Sequence, residues 1–370
     1  MSDIVLHFNI HQILSAMKNR FHYKLMMAIL GTLFVSPFTF CQPDWTVKSS
    51  TNSGLVNNLV RKIYQDSQGK IWVGTAGGLN IIEGENWDSY TKSNGLPHQI
   101  VWDIGEDSKG NIWVATLKGI ALYNGQDWSY IDQDDGIAHK KVFTLETDLK
   151  GNVWLGTRKG VSMYDGQNWK NFTVKDGLAH NVVTDIMEDG SGRMWFSTRK
   201  GISILDGDNW TTINVQDGLA RNFVWSLAED SKGTIWIGTH TGSFNKLDGQ
   251  NWENIKKGSG YYDITGLVGG IANGIVWTLA LGPGVGVAMF VIFTAWGLAP
   301  SPNHITHVYI DANDNAWLAA QPKGVFMFDG KDWKEYNKTN GLPHNRVYDM
   351  LEINDGTMWF GTRKGIAIME

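Results

Sequence analysis

The chain has 370 residues, a formal net charge of −5, 43 glycines, 8 prolines, 18 tryptophans and one cysteine. That charge offers no basic stripe for nucleic acid, and Cys41 alone cannot build a disulfide framework or a thiolate metal cluster. Short β-rich runs separated by Gly/Asn/Asp turns point to an all-β repeat array rather than several ordinary domains.

In chain order, the first segment is a different material from the rest. From Met17 it is basic at Lys18, Arg20 and Lys24, apolar over residues 25–35, then Ser36-Pro37-Phe38-Thr39-Phe40-Cys41-Gln42. This charged-then-apolar order is that of a secretory signal, and the apolar run is too short to span a bilayer. Residues 1–41 are therefore read as a signal-peptide region whose true start is Met17. Residues 42–370 are read as one exported domain, periplasmic or secreted. A lipoprotein anchor on Cys41 is the weaker alternative, because Phe38-Thr39-Phe40 lacks the small residues such processing favours.

The repeat begins next. Trp72, Trp113, Trp154, Trp195 and Trp236 are each 41 residues apart, and Trp277, Trp317 and Trp359 follow at 41, 40 and 42. Residues 95–135 show one unit: a strand over 100–106, a turn at Asp107-Ser108-Lys109-Gly110, and a strand over 112–116. A turn at Leu117-Lys118-Gly119, a strand over 120–123, a hairpin at Asn124-Gly125-Gln126-Asp127 and a strand over 128–131 complete it. Four short strands per unit make a β-propeller blade. The spacing predicts an all-β propeller of eight four-stranded blades. The last unit stops at residue 368 without its fourth strand, and Asp44-Trp45-Thr46-Val47 resembles that missing strand, so the N-terminal strand is expected to close the ring. Such a ring leaves no residues here for a kinase or a second domain.

Two features carry sharper and blander readings. Asp66, Asp107, Asp148, Asp189 and Asp230 each precede a turn glycine by three. One carboxylate per turn is too few for calcium, so these residues are expected to accept from turn amides, and the tryptophans to pack between blades. Residues 264–303 contain no charged side chain and include the Gly282-Pro283-Gly284 break. In register they form a degenerate sixth blade around Trp277. The alternative is seven regular blades plus an apolar insertion, membrane-facing or oligomeric.

The run Asp107-x-x-Gly110-Asn111-Ile112-Trp113-Val114-Ala115-Thr116-x-x-Gly119-Ile120 resembles the two-component regulator propeller repeat. Better copies are Asp148-x-x-Gly151-Asn152-Val153-Trp154-Leu155-Gly156-Thr157-x-x-Gly160-Val161 and the equivalent run from Asp66 to Leu79. The resemblance implies a periplasmic sensor propeller of the kind that hybrid histidine kinases carry, often for glycan-derived ligands. No immunoglobulin-like module, transmembrane helix or kinase follows the repeats here, so it implies a binding propeller rather than a signalling one.

Chain direction places the connection between blades and the loop between second and third strands on one face. His98, His139, His180 and His344 occupy one slot of the first, with Arg221 in a similar slot. Lys118, Arg158, Arg199 and Arg363 lie in the second. These nine are the candidate ligand-binding residues, a cationic face suited to an anionic oligosaccharide. Repeat duplication and strand capping are the bland reading of each His. Trp102, Phe143, Trp225 and Tyr348 lie near these loops within first strands, where core packing is favoured over stacking on sugar. The sequence shows no Ser/His/Asp order, no metal-ligand spacing and no catalytic residue, and no cofactor is expected. The function read from it is an exported, non-catalytic propeller binding a ligand or an envelope protein. A propeller-fold polysaccharide lyase and an envelope scaffold are the rivals. Membrane contact would need a lipid at Cys41 or the stretch 264–303.

Overall fold

The computed structural model describes residues 43–240, 244–255 and 304–370. The expectations for the signal region, Met17, Cys41 and the stretch 264–303 with Trp277 lie outside the described residues. The described part of the unit Trp45–Glu370 forms seven four-stranded antiparallel sheets. Blade one runs Val60–Gln65, Ile71–Thr75, Leu79–Glu83 and Asn86–Tyr90. The inner strands of blades two to seven are Val101–Glu106, Val142–Thr147, Val183–Glu188, Val224–Glu229, His304–Ile310 and Val347–Glu352. No helix among the described residues is long and apolar enough to cross a membrane.

The expected eight blades are corrected to the alternative of seven. The joint between blades five and six is directly packed: Trp236 and Phe244 share a buried cluster with Ile305, Val308, Leu318 and Phe326. The Val308 amide donates to Ser226 Oγ at 3.1 Å. Each of the other joints has a cluster of its own, so among the described residues seven clusters seal seven joints.

The closure is as expected. Trp45–Lys48 pairs with Gly365–Met369, Trp45 opposite Met369 and Lys48 opposite Ile366. Trp45 also lies against Gly341, whose φ of 137° suits glycine and where a Cβ would collide with the indole. Gly136 against Trp169 and Gly177 against Trp210 repeat this contact, so Trp45 occupies the fourth-strand position of blade seven in full.

The turn aspartates work as read, with one bond more. In blade three, Asp148 Oδ1 accepts from the Lys150 and Asn152 amides at 3.1 and 2.7 Å, and Oδ2 accepts from Trp154 Nε1 at 2.8 Å. Asp66, Asp107, Asp189, Asp230 and Asp311 hold Trp72, Trp113, Trp195, Trp236 and Trp317 in the same way. One carboxylate thus fixes both the turn and the tryptophan that fills the joint. Asp148→Ala would strand two amides and a buried indole. Since an unmet donor costs about 1–3 kcal/mol, we expect a loss of about 3 kcal/mol by urea unfolding. A loss below about 1 kcal/mol would show that these bonds contribute little.

Candidate functional site

The inner strands build the site, and a bulge decides how. In every blade the pairing of first and second strand shifts by one residue near its start: between Val60 and Lys62, Val101 and Asp103, Val142 and Thr144, and likewise in blades four to seven. A bulge inserts one unpaired residue and breaks strict alternation. Two successive side chains per blade therefore turn toward the propeller axis. The outer of the two are Arg61, Trp102, Phe143, Thr184, Trp225, Thr306 and Tyr348. The deeper are Lys62, Asp103, Thr144, Asp185, Ser226, His307 and Asp349. All fourteen line one cavity of about 420 Å³, joined at its rim by Val182, Arg199, Phe223, His304 and Gln321.

The upper wall is aromatic and cationic. Arg61 Cζ stands 4.2 Å from the Trp102 ring and 5.8 Å from that of Tyr348. Trp102 meets Phe143 edge-on at 5.5 Å. Across the mouth Phe223 stacks on Trp225 at 4.7 Å, and Arg199 lies 5.5 Å over Phe223. His240 stacks on Phe223 and on His304, at 5.4 and 5.1 Å. Arg61 Nε, Trp102 Nε1 and Trp225 Nε1 are enclosed and find no acceptor among the described residues.

The floor is a laced ring of charge. Lys62 Nζ reaches Asp103 Oδ1 at 3.3 Å and Asp349 Oδ1 at 3.8 Å, and His307 Nε2 lies 3.3 Å from the same Asp349 oxygen. The carboxylates also tie neighbouring blades together. Asp349 Oδ2 accepts from the Ile63 amide at 2.7 Å, Asp103 Oδ2 from Leu145 at 2.8 Å, and Asp185 Oδ2 from Leu227 at 2.8 Å. Burial pushes Asp349 up to about 6, against the pull of Lys62 and the Ile63 amide. Burial lifts Asp185 to about 7, against the Leu227 amide. Deeper still, burial with Asp103 and Asp185 nearby takes Glu146 to about 8. Burial, helped by Lys62, pulls His307 down to about 3, so it is neutral at pH 7. For Lys62 burial works against the charge, but Asp103 and Asp349 outweigh it and keep the ammonium firmly protonated. No group of three or more metal-ligating side chains occurs among the described residues.

Of the nine residues singled out from sequence, only Arg199 lines this cavity. Arg158, Arg221, Arg363 and Lys118 are exposed on the loops of the same face. The structure does gather charge there: the field of Arg158 and Lys159 acts on His139, and that of Arg363 and Lys364 on His344. The four His, however, cap turns. Nδ1 of His98, His139, His180 and His344 accepts the amide of the residue two further on, at 3.0, 3.0, 2.9 and 2.8 Å. Asn57 does the same in blade one. Burial and the adjacent cations hold His139 and His344 below the usual imidazole range. Trp102, Phe143, Trp225 and Tyr348, expected chiefly as core, instead form the cavity wall. Sequence reasoning passes over Arg61 and the floor residues. Their signal is a polar side chain at the third place of an otherwise apolar strand, in repeat after repeat.

The family model of the two component regulator propeller matches residues 54–77, 95–118, 177–200, 218–241 and 341–364. The chain carries five two-component regulator propeller repeats. Each matched segment runs from the connector glycine through the inner strand to the loop beyond the second, the parts that form the mouth and its lining. No curated protein matches the chain in sequence. Among solved structures, this chain is similar to the extracellular domain of a B. thetaiotaomicron protein classed as a hybrid two component system. Identity is 18% and the TM-score 0.68, over 89% of this chain and 42% of that one. It is also similar to PorZ, a surface component of the type-IX secretion system of Porphyromonas gingivalis (15%, TM-score 0.61, 86% and 47%). A third is virginiamycin B lyase from Staphylococcus aureus, in a catalytically inactive form with quinupristin (10%, TM-score 0.62, 88% and 98%). The chain spans less than half of the first two, and all three likenesses concern the fold.

Proposed function

We propose that this propeller is an exported binding module that takes an anionic oligosaccharide at the mouth of its axial cavity. The observation that carries the reading is the wall itself: Trp102, Phe143, Phe223, Trp225 and Tyr348 around one opening, with Arg61 and Arg199 held over two of those rings. Aromatic faces suit the apolar faces of sugar rings, and guanidinium groups suit carboxylate or sulfate. The volume falls in the range of about 300–1,000 Å³ typical of ligand sites. Export, with periplasmic or secreted location, follows the reading of residues 1–41 and agrees with the extracellular domains the chain resembles. Binding is favoured over turnover because His307, an imidazole at the cavity floor, is engaged by Asp349 and the backbone of Met350 rather than offered to a ligand.

A glycan array followed by titration tests this. Trp102→Ala should weaken binding about tenfold to thirtyfold, or 1.4–2 kcal/mol, as befits an anchoring aromatic. Affinity should fall with salt, since exposed charges are screened over about 8 Å at physiological ionic strength. Arg158→Ala and Arg363→Ala should change little. If those two abolish binding while Trp102→Ala is silent, the site moves to the loop rim. Release of unsaturated uronate, read by ultraviolet absorbance, would replace the reading with a lyase.

A further inference from the structure

The lining of the cavity stops at the ring of Lys62, Asp103, Asp185, His307 and Asp349, and Tyr64, Glu146, Met187 and Tyr309, each two residues further along its strand, are not part of it. The contacts of Lys62 with Asp103 and Asp349, and of Asp349 with His307, run side to side across blades two, one, seven and six, drawing the floor together. The chemistry changes with depth. Rings and guanidinium groups stand at the top, while carboxylates, Thr144 and Ser226 stand at the bottom. Of the carboxylates on the floor, Asp185 has no cation within 4 Å among the described residues. It accepts from the backbone amides of Ile186 at 3.1 Å and Leu227 at 2.8 Å and from the Ser226 side chain.

We infer that the propeller recognises the end of a saccharide chain rather than an internal stretch, with the terminal residue inserted and its hydroxyls donating to Asp185. This rests on the binding reading above and deepens it. A chain laid across the mouth would touch the rim and leave the walls and floor unused. A chain end can enter the cavity, place a ring between Trp102 and Trp225, leave an acidic group at the level of Arg61, and bring hydroxyl donors to the floor. An acidic group at full depth would instead meet the carboxylates of Asp185 and Asp349, so the acid belongs above and the neutral hydroxyls below.

The test uses the unaltered chain and two ladders, chondroitin sulfate oligosaccharides and oligogalacturonates of two to eight residues, by calorimetric titration. We expect one protein bound per chain at every length, with affinity changing less than threefold beyond the tetrasaccharide. Stoichiometry rising with chain length would overturn end recognition while leaving the mouth as the binding site. Failure of every member of both ladders to bind would overturn the binding reading and this inference with it. Asp185→Asn, which keeps an oxygen for the Leu227 amide but not for that of Ile186, should cost at least tenfold in affinity at a temperature where its melt shows it fully folded. Unchanged affinity would show that the ligand does not reach the floor, and would also overturn the proposal.

Discussion

Deleting residues 43–48 is expected to destabilise the whole ring, not merely to fray one end. Trp45–Lys48 is the fourth strand of blade seven, and without it Gly365–Met369 becomes an open edge of unpaired amides and carbonyls. Losing Trp45 itself costs more than losing the ladder. Its ring lies 5.9 Å from Tyr336 and 5.5 Å from Phe360, so it joins the cluster of Leu342, Met350 and Phe360 that seals blade six to blade seven. Removing a core aromatic costs about 3–5 kcal/mol. The loss of the ladder adds to this, so we expect at least about 4 kcal/mol in total. A closed ring has no slack, and a blade that loosens also loosens its neighbours. The check is urea unfolding followed by intrinsic fluorescence, with Trp45→Ala alone giving about 3 kcal/mol. A deletion whose midpoint matches the intact chain would mean that closure contributes nothing.

The same strand shows what is legible in the sequence. The match of Asp44-Trp45-Thr46-Val47 to the fourth strands of other blades needs only the repeat, because a strand's partner and its packing tryptophan recur together. Trp277 shows the limit. It keeps the period of about 41, yet Ile271 stands where Asp230 stands for Trp236, and Ile275 stands where Thr357 serves Trp359. Spacing alone counts an eighth blade. The lack of an acceptor for the indole at either of those sequence positions argues against it, and spacing does not register that lack.

The site is harder to read for a different reason. Loop cations are visible in sequence because they interrupt an apolar pattern, so Arg158, Arg363 and the four His stand out. The cavity residues lie inside strands, where alternation assigns one face to the core. The bulge after Val60, and its equivalents in every blade, places Arg61 and Lys62 both toward the axis. No rule of strict alternation foresees that. The imidazoles, conversely, recur blade to blade because each accepts a turn amide, as Asn57 does without any charge.

Replacing Lys62 by Met should be among the most damaging single changes in the molecule, and its cost should depend on pH. The ammonium serves two carboxylates, and the side chains of Asp103 and Asp349 are only 10% and 4% exposed. Removing one partner of a buried ion pair costs about 3–5 kcal/mol, because the other charge stays buried and uncompensated. Lys62 is itself about a quarter exposed to the cavity, which places the expected loss near about 3 kcal/mol at pH 8. Asp349 already sits near 6 with Lys62 present, and without that cation its carboxyl must rise further. A carboxyl raised in the native state binds protons there that the unfolded chain, with carboxyls near about 4, does not bind. Native stability of the variant therefore recovers as pH falls from 8 toward 5, and the gap to the unaltered protein narrows. His307 reinforces the trend, since loss of Lys62 removes a cation that helps keep it neutral and so makes its protonation less costly as pH falls. Urea midpoints at pH 8 and pH 5.5 measure this. Combining Lys62→Met with Asp349→Asn should return part of the loss at pH 8. A deficit equal at both pH values, and not relieved by Asp349→Asn, would assign the effect to the packing of the lysine stem and not to its charge.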